Sequence, residues 1–452
     1  MRRFIALLLF PLSFHTFSAE SNIQEKTLAN GLKVVVQEDH RSPVVVAQVW
    51  YRAGSVDEYN ATTGVAHVLE HMMFKGTKKV PAGQFSRIVA AAGGKENAFT
   101  SRDYTVYFQQ LEKSRLELSM KLEADRMANL QLTDAEFAKE IKVIMEERRW
   151  RTDDKPQAQV AEQYMSTSFQ THPYGRPVIG WMNDLENMTG QDARNWYQTW
   201  YAPNNATLVV VGDVKPEQVF ALANKYYGVL KPHKLPVRKI QIEPEQKGER
   251  RITVQAPAKN AYLLMGYTAP SLRNAADWEP YALEILTGVL DGNAASRLNR
   301  KLVRRDQLAV EVSAGYDMIN RGPSQFEFDA TPSEGTSVAD LELAIRSEIE
   351  LLKNDGVTEE ELQRVKAQVI AADVYKRDSM FNQAMEIGML ESTGHSWRDL
   401  ADYTKRLQAV TPEQVQAVAR KYLVDEHLTV AILDPQPIDE NAPKKEAPHG
   451  RH

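Results

Sequence analysis

The stretch from Thr189 to Val211 reads TGQDARNWYQTWYAPNNATLVVV. Thr189 is a side-chain cap for a helix that runs to Trp200-Tyr201, and Pro203-Asn204-Asn205 breaks it. Leu208 to Val211 is then a short apolar run of strand length. The same order returns about 220 residues later. Thr411-Pro412-Glu413-Gln414 opens a helix reaching Tyr422, with Pro at its first position. After a short break comes the strand Leu428-Thr429-Val430-Ala431-Ile432. Each copy also begins with strand-like sequence, Leu32 to Val36 in one and Ile252-Thr253-Val254 in the other, and continues into long amphipathic helices. The period is too long for a solenoid. The pattern predicts an α+β fold of two related domains, each a mainly antiparallel sheet covered by helices, duplicated within the chain.

A chain of 452 residues exceeds what one ordinary core supports. The expected layout is an N-terminal domain over 22–230, a linker over 231–250, and a C-terminal domain over 251–434. The linker carries Pro232, Pro236 and Pro244 among many charges. The tail, 435–452, is too polar to bury surface, so His449 and His452 are read as solvated residues rather than ligands. Residues 1–19 read as a signal peptide: Arg2 and Arg3, an apolar run from Phe4 to Phe14, then Ser18-Ala19. Export is expected, with the periplasm as destination. Net charge is −5 with the basic residues dispersed, which argues against a nucleic-acid-binding surface. Cysteine is absent, so any metal site must draw on His, Asp and Glu.

Such a pattern lies at Gly64 to Phe74, GVAHVLEHMMF. As a helix it puts His67 and His71 one turn apart on one face, where two imidazoles can grip one Zn²⁺. Glu70 stands beside both, within reach of a water at the metal. Val68, Leu69 and Met72 are left for the core, and Thr62 or Thr63 could cap the start. A further ligand is sought on the helix that Thr133-Asp134-Ala135-Glu136 opens. Glu140 and Glu147 are seven apart and share a face, while Glu146 points about 100° away from Glu147. Spacing leaves Glu140 and Glu147 both as candidates.

Together these residues carry a likeness. The chain resembles the pitrilysin/insulinase family of zinc peptidases with the inverted His-x-x-Glu-His order, and in particular their zinc-bearing subunits. The likeness rests on GVAHVLEHMMFKG (64–76), Asn97-Ala98-Phe99-Thr100 with Asp103-Tyr104-Thr105, EIKVIMEE (140–147) and His172-Pro173-Tyr174-Gly175, in that order. It implies one Zn²⁺ held by His67, His71 and Glu147, with Glu70 as general base and Glu140 as a carboxylate behind the ligands. It also implies that Asn97, Ala98, Phe99 and Thr100 begin an edge strand that binds an extended substrate. The implied activity is hydrolysis of peptides or unfolded polypeptide segments.

The sequence departs from the single-chain members at one place. They bring an Arg and a Tyr from their second half to the substrate. Aligned on Gln307-Leu308, those positions here hold Val303 and Val310, with Arg304 and Arg305 off register. The second half has no His-x-x-Glu-His either; its matching helix reads LEILTG from Leu283 to Gly288. The resemblance therefore implies a related partner subunit that supplies Arg and Tyr. The alternative is a non-catalytic subunit of the same fold that holds peptide without cutting it.

Overall fold

The computed structural model describes residues 22–439. The expected signal segment and the last thirteen residues of the tail lie outside this range. The first sheet contains β1 (Ile23–Thr27), β2 (Lys33–Glu38), β3 (Val44–Tyr51), β4 (Lys95–Thr100), β5 (Thr105–Glu112) and β6 (Ala206–Gly212), in the order β1-β2-β6-β3-β5-β4. The second contains β7 (Arg250–Pro257), β8 (Tyr262–Ala269), β9 (Ala309–Tyr316), β10 (Ser324–Pro332) and β11 (Leu428–Gln436), in the order β7-β11-β8-β10-β9. Each sheet is antiparallel apart from one parallel pair, β2 with β6 and β7 with β11. The two orders superpose once β1 is set aside. Thr207 of β6 and Thr429 of β11 are equivalent, facing Trp50 of β3 and Gly266 of β8. Strand β11 runs two residues past the boundary expected at 434, because Pro435 and Gln436 still lie in register with β7. No regular element falls between residues 231 and 249.

Both repeat helices, Gly190–Trp200 and Pro412–Tyr422, start with reciprocal capping boxes at Thr189 and Thr411. They help cover the inner face of their sheets, where the two main cores lie. The outer faces are covered by exchange. The helix Met380–Thr393, from the second half, lays Met380, Ala384 and Ile387 against Val35, Val46, Trp50 and Val209 of the first sheet. Pro156–Ser168, from the first half, lays Val160 and Tyr164 against Val254, Leu264, Ala431 and Leu433 of the second. Strands covered on both faces need no polar alternation, which explains why β6 is buried at all seven positions.

The size pairing at the two exchange contacts is inverted. On the first sheet, Trp50 projects from the strand and the helix makes room with Gly388, whose Cβ would stand 1.9 Å from the indole. On the second, the equivalent strand position is Gly266, and the helix projects Tyr164.

A polar clasp also joins the halves. Tyr174 Oη donates to Asp103 at 2.7 Å and accepts the Gly322 N–H at 2.8 Å. The Arg321 N–H donates to Asp103 at 3.0 Å, and its guanidinium pairs with Asp57 at 2.9 Å. Gly322 fits against the rings of His172 and Tyr174, where a Cβ would meet His172 Cε1 at 2.3 Å. Asp103 and the His172-Pro173-Tyr174-Gly175 stretch therefore join the halves. His172 is buried, and its Nδ1 accepts the Tyr174 N–H at 3.3 Å. Burial, helped by Arg273, Arg321 and Arg102, lowers its pKa from 6.5 to about 4. The unfolded chain then takes the proton first, so this contribution to stability is present above about 6.5 and is lost as pH falls towards 4. Thermal unfolding across that range is expected to show a steeper acid loss in wild type than in His172→Gln; parallel slopes would refute this.

Candidate metal centre

The helix Val65–Met72 is buried at all eight positions, packed among the helices Asp134–Arg148 and Gly190–Trp200 and strand β4. Val68, Leu69 and Met72 face the core as expected. Neither Thr62 nor Thr63 caps the helix. Its N-cap is Gly64, at φ +88°, with no side chain to offer. Gly64 is required there, because a Cβ would stand 2.6 Å from the Ile179 carbonyl oxygen and 2.8 Å from the Gly180 Cα. Thr63 instead donates its hydroxyl to Asp184 at 2.6 Å.

His67 and His71 lie on one face, ring centroids 4.7 Å apart. Glu147, on the helix Asp134–Arg148, reaches them from across the core. Its Oε2 is 3.2 Å from His71 Nε2 and 3.9 Å from His67 Nε2. The three ligand atoms lie within 4.8 Å of one another and all three residues are buried, so the group could hold a metal ion. Tertiary packing separates the two carboxylates that spacing left open. Glu140 is one layer back, 3.0 Å from His71 Nδ1, with its other oxygen on Lys75 at 2.5 Å. That is the orienting contact an imidazole ligand needs on its far nitrogen. Glu146 points to solvent and pairs with Arg149.

Glu70 is 5% exposed and accepts the Thr100 hydroxyl at 2.6 Å. Burial raises its pKa above the usual carboxylate range, against the downward pull of Thr100 and His71. Burial acts on Glu147 too, but His71, His67 and Arg151 outweigh it and hold its carboxyl down at about 2. Arg151, one turn on in the π-helical segment Arg149–Asp153, touches the outer oxygen of Glu147 at 2.9 Å.

Among the described residues, strand β4 pairs only with β5, so its other edge is unpaired in the sheet. It flanks a cavity of about 700 Å³ that Asn97, Ala98, Phe99 and Thr100 share with His67, Glu70, His71 and Glu147. The four strand residues do different things. Thr100 holds Glu70, Ala98 is buried, Phe99 packs edge-on against Trp50, and Asn97 accepts the Ala98 N–H. The sequence reading missed Arg151, although its i, i+4 spacing from Glu147 was there to be seen. Of the two valines at the expected Arg and Tyr positions, Val303 packs against the second core. Val310 stands 62% exposed on the outermost strand β9.

The family model described as insulinase (peptidase family M16) matches residues 33–181, and the one described as peptidase M16 inactive domain matches 187–369. A zinc protease, PqqE, of Helicobacter pylori is 31% identical over 95% of this chain and 97% of its own length. The chain belongs to the insulinase family, M16. A crystal structure of a protease from Helicobacter pylori superposes with a TM-score of 0.87 at 31% identity, covering 91% of this chain and 99% of that one. A probable mitochondrial-processing peptidase subunit beta of Arabidopsis thaliana is 24% identical over 90% of this chain and 78% of its own. M16 membership agrees with the two related α+β domains seen here. Among the described residues, no helix is long and apolar enough to cross a membrane.

Proposed function

We propose that this M16 chain is a zinc-dependent endopeptidase acting on extended peptides or unfolded polypeptide segments. We further propose that it works as the zinc-bearing subunit of a two-chain enzyme in the periplasm. The observation that carries the reading is convergence: two buried imidazoles and a buried carboxylate within 4.8 Å, with Glu70 and an unpaired strand edge on the same cavity. Two His and one Glu are a donor set suited to catalytic zinc. The printed name of the Helicobacter relative, a zinc protease, supports that choice of metal.

His67, His71 and Glu147 hold the ion, and Glu140 fixes His71 from behind. Zinc in this cradle supplies Lewis acidity toward the scissile carbonyl and toward water. β4 aligns the substrate by pairing with its backbone. Glu70 takes a proton from the attacking water and passes it to the leaving amine as the C–N bond breaks. The side chains of Val303 and Val310 offer no hydrogen-bond donor, so a related chain supplies the Arg and Tyr. The word subunit in the Arabidopsis relative's name supports this two-chain reading.

The natively purified chain is expected to bring a second chain of similar size with it. It should cleave an unstructured peptide fully only in that company, lose activity to a chelator and regain it with zinc. A monomer with full activity sinks the two-chain assignment, and cleavage that survives chelation sinks the metal assignment. The inactive-domain match favours one rival, a non-catalytic peptide-binding subunit. That match covers 187–369, which contains none of His67, Glu70, His71 or Glu147. Zinc-loaded complex that binds peptide and never cuts it establishes the rival.

A further inference from the structure

The metal helix begins with a glycine that cannot cap it, and a residue from outside the helix does so. Glu58 is 3% exposed. Its Oε2 accepts the Gly64 N–H at 2.8 Å and its Oε1 accepts the Ala66 N–H at 2.9 Å. We propose that Glu58 is a positioning residue for the metal centre, a buried carboxylate that caps the ligand helix from outside and so fixes His67 in its first turn. The inference rests on the zinc reading above.

The physical case starts from the length of the helix. Eight residues give little helical stability of their own, so the end contacts decide whether the first turn holds. The first N–H groups of a helix have no partner within it, and in a buried helix water cannot serve them. Gly64 is closed to any side chain by Ile179 and Gly180. The acceptors must therefore come from elsewhere, and a carboxylate also suits the positive end of the helix dipole. Burial raises the pKa of Glu58 to about 8 against the pull of the Ala66 and Gly64 N–H groups and Arg176. The geometry of the cap, two N–H groups donated one to each oxygen, favours the carboxylate over the acid. His67 is the third residue of the helix, one position beyond the capped Ala66 N–H. A frayed first turn would displace it and leave His71 and Glu147 as two ligands of three.

The cap is itself anchored. Arg176 donates to the Glu58 carbonyl oxygen at 2.5 Å. Asp57, the preceding residue, pairs with Arg321 of the second half and with Arg238 of the linker, at 2.9 and 2.7 Å. Adjacent carboxylates thus face opposite ways, one to the clasp between the halves and one to the metal helix.

The test compares zinc affinity and the absorption spectrum of the cobalt-substituted protein in wild type, Glu58→Gln and Glu342→Gln. Glu342 is a buried carboxylate of the second half that pairs with Arg251 and Arg346, remote from the metal cluster. Both variants are expected to melt earlier than wild type. Glu58→Gln alone should weaken zinc binding, by roughly 10- to 100-fold, and alter the cobalt spectrum. Should Glu58→Gln not fold, Glu58→Asp keeps the charge on a shorter arm and should show a smaller loss in the same direction. A Glu58 variant that melts earlier yet binds zinc as tightly as wild type, with an unchanged cobalt spectrum, overturns the proposal alone. A wild-type chain that takes up no zinc overturns the zinc reading and the proposal with it.

Discussion

Glu70→Gln is expected to lower kcat for peptide cleavage by about 10²- to 10⁴-fold, the usual weight of a general acid–base, while the zinc content stays at one per chain. The substitution isolates the chemistry well. Glu70 is not part of the three-residue metal group, so the cradle is left intact. Gln has the same shape, and its carbonyl oxygen can still accept the Thr100 hydroxyl, so the side chain keeps its place. What disappears is the basic oxygen. Burial raises the pKa of the native carboxyl, which makes it a stronger base toward a proton of water. A steady-state assay beside metal analysis checks this. Full zinc with cleavage within a few-fold of wild type would remove Glu70 from the mechanism.

The second large effect concerns the fold. Gly388→Ala is expected to destabilise the chain by about 1–3 kcal/mol, although Ala for Gly inside a helix normally gains about 1 kcal/mol. The new methyl would sit 1.9 Å from the Trp50 indole, which is fully buried and held by its Nε1–H bond to Gln48 at 2.9 Å. Phe99 and Tyr104 crowd the same ring, so it has nowhere to turn. Trp50→Phe should itself cost stability by leaving a gap, yet it should make Gly388→Ala cheaper. The double variant should therefore be more stable than the sum of the singles implies, by about 1 kcal/mol or more. Denaturant unfolding of the four proteins measures that coupling. Simple additivity would mean that the helix Met380–Thr393 does not bear on Trp50 in solution.

The halves and the metal helix were legible in the sequence because both are local patterns. A cap, a break and an apolar run recur at Thr189 and Thr411, and the i, i+4 histidines need only a helix to meet. The choice between Glu140 and Glu147 was not legible by spacing. Both lie on one face, and only the depth at which Asp134–Arg148 crosses Val65–Met72 sets one beside two imidazoles and the other behind His71. A cap from Thr62 or Thr63 fails for a related reason. Close approach to Gly180 claims Gly64 for the N-cap, and Asp184 claims Thr63. The reading of two separate domains also missed the exchanged helices. A hint lay in Leu208 to Val211, whose unbroken apolar run needs cover on both faces. The tail boundary at 434 was early because strand pairing with β7 carries Pro435 along at the sheet margin.

The sequence by itself determined the duplicated α+β layout, the pair of histidines with Glu70 between them, and the absence of an Arg and a Tyr at the positions now held by Val303 and Val310. The first two depend on helix and strand periods, which act over a few residues; the third rests on the family resemblance, aligned at Gln307-Leu308. Only tertiary structure sets Glu147 beside His67 and His71, lays a helix of each half on the other half's sheet, and brings Glu58 to the N–H groups of Gly64 and Ala66. Those are matters of depth, side-chain volume and unpaired N–H groups between segments far apart in the chain, and no local period encodes them.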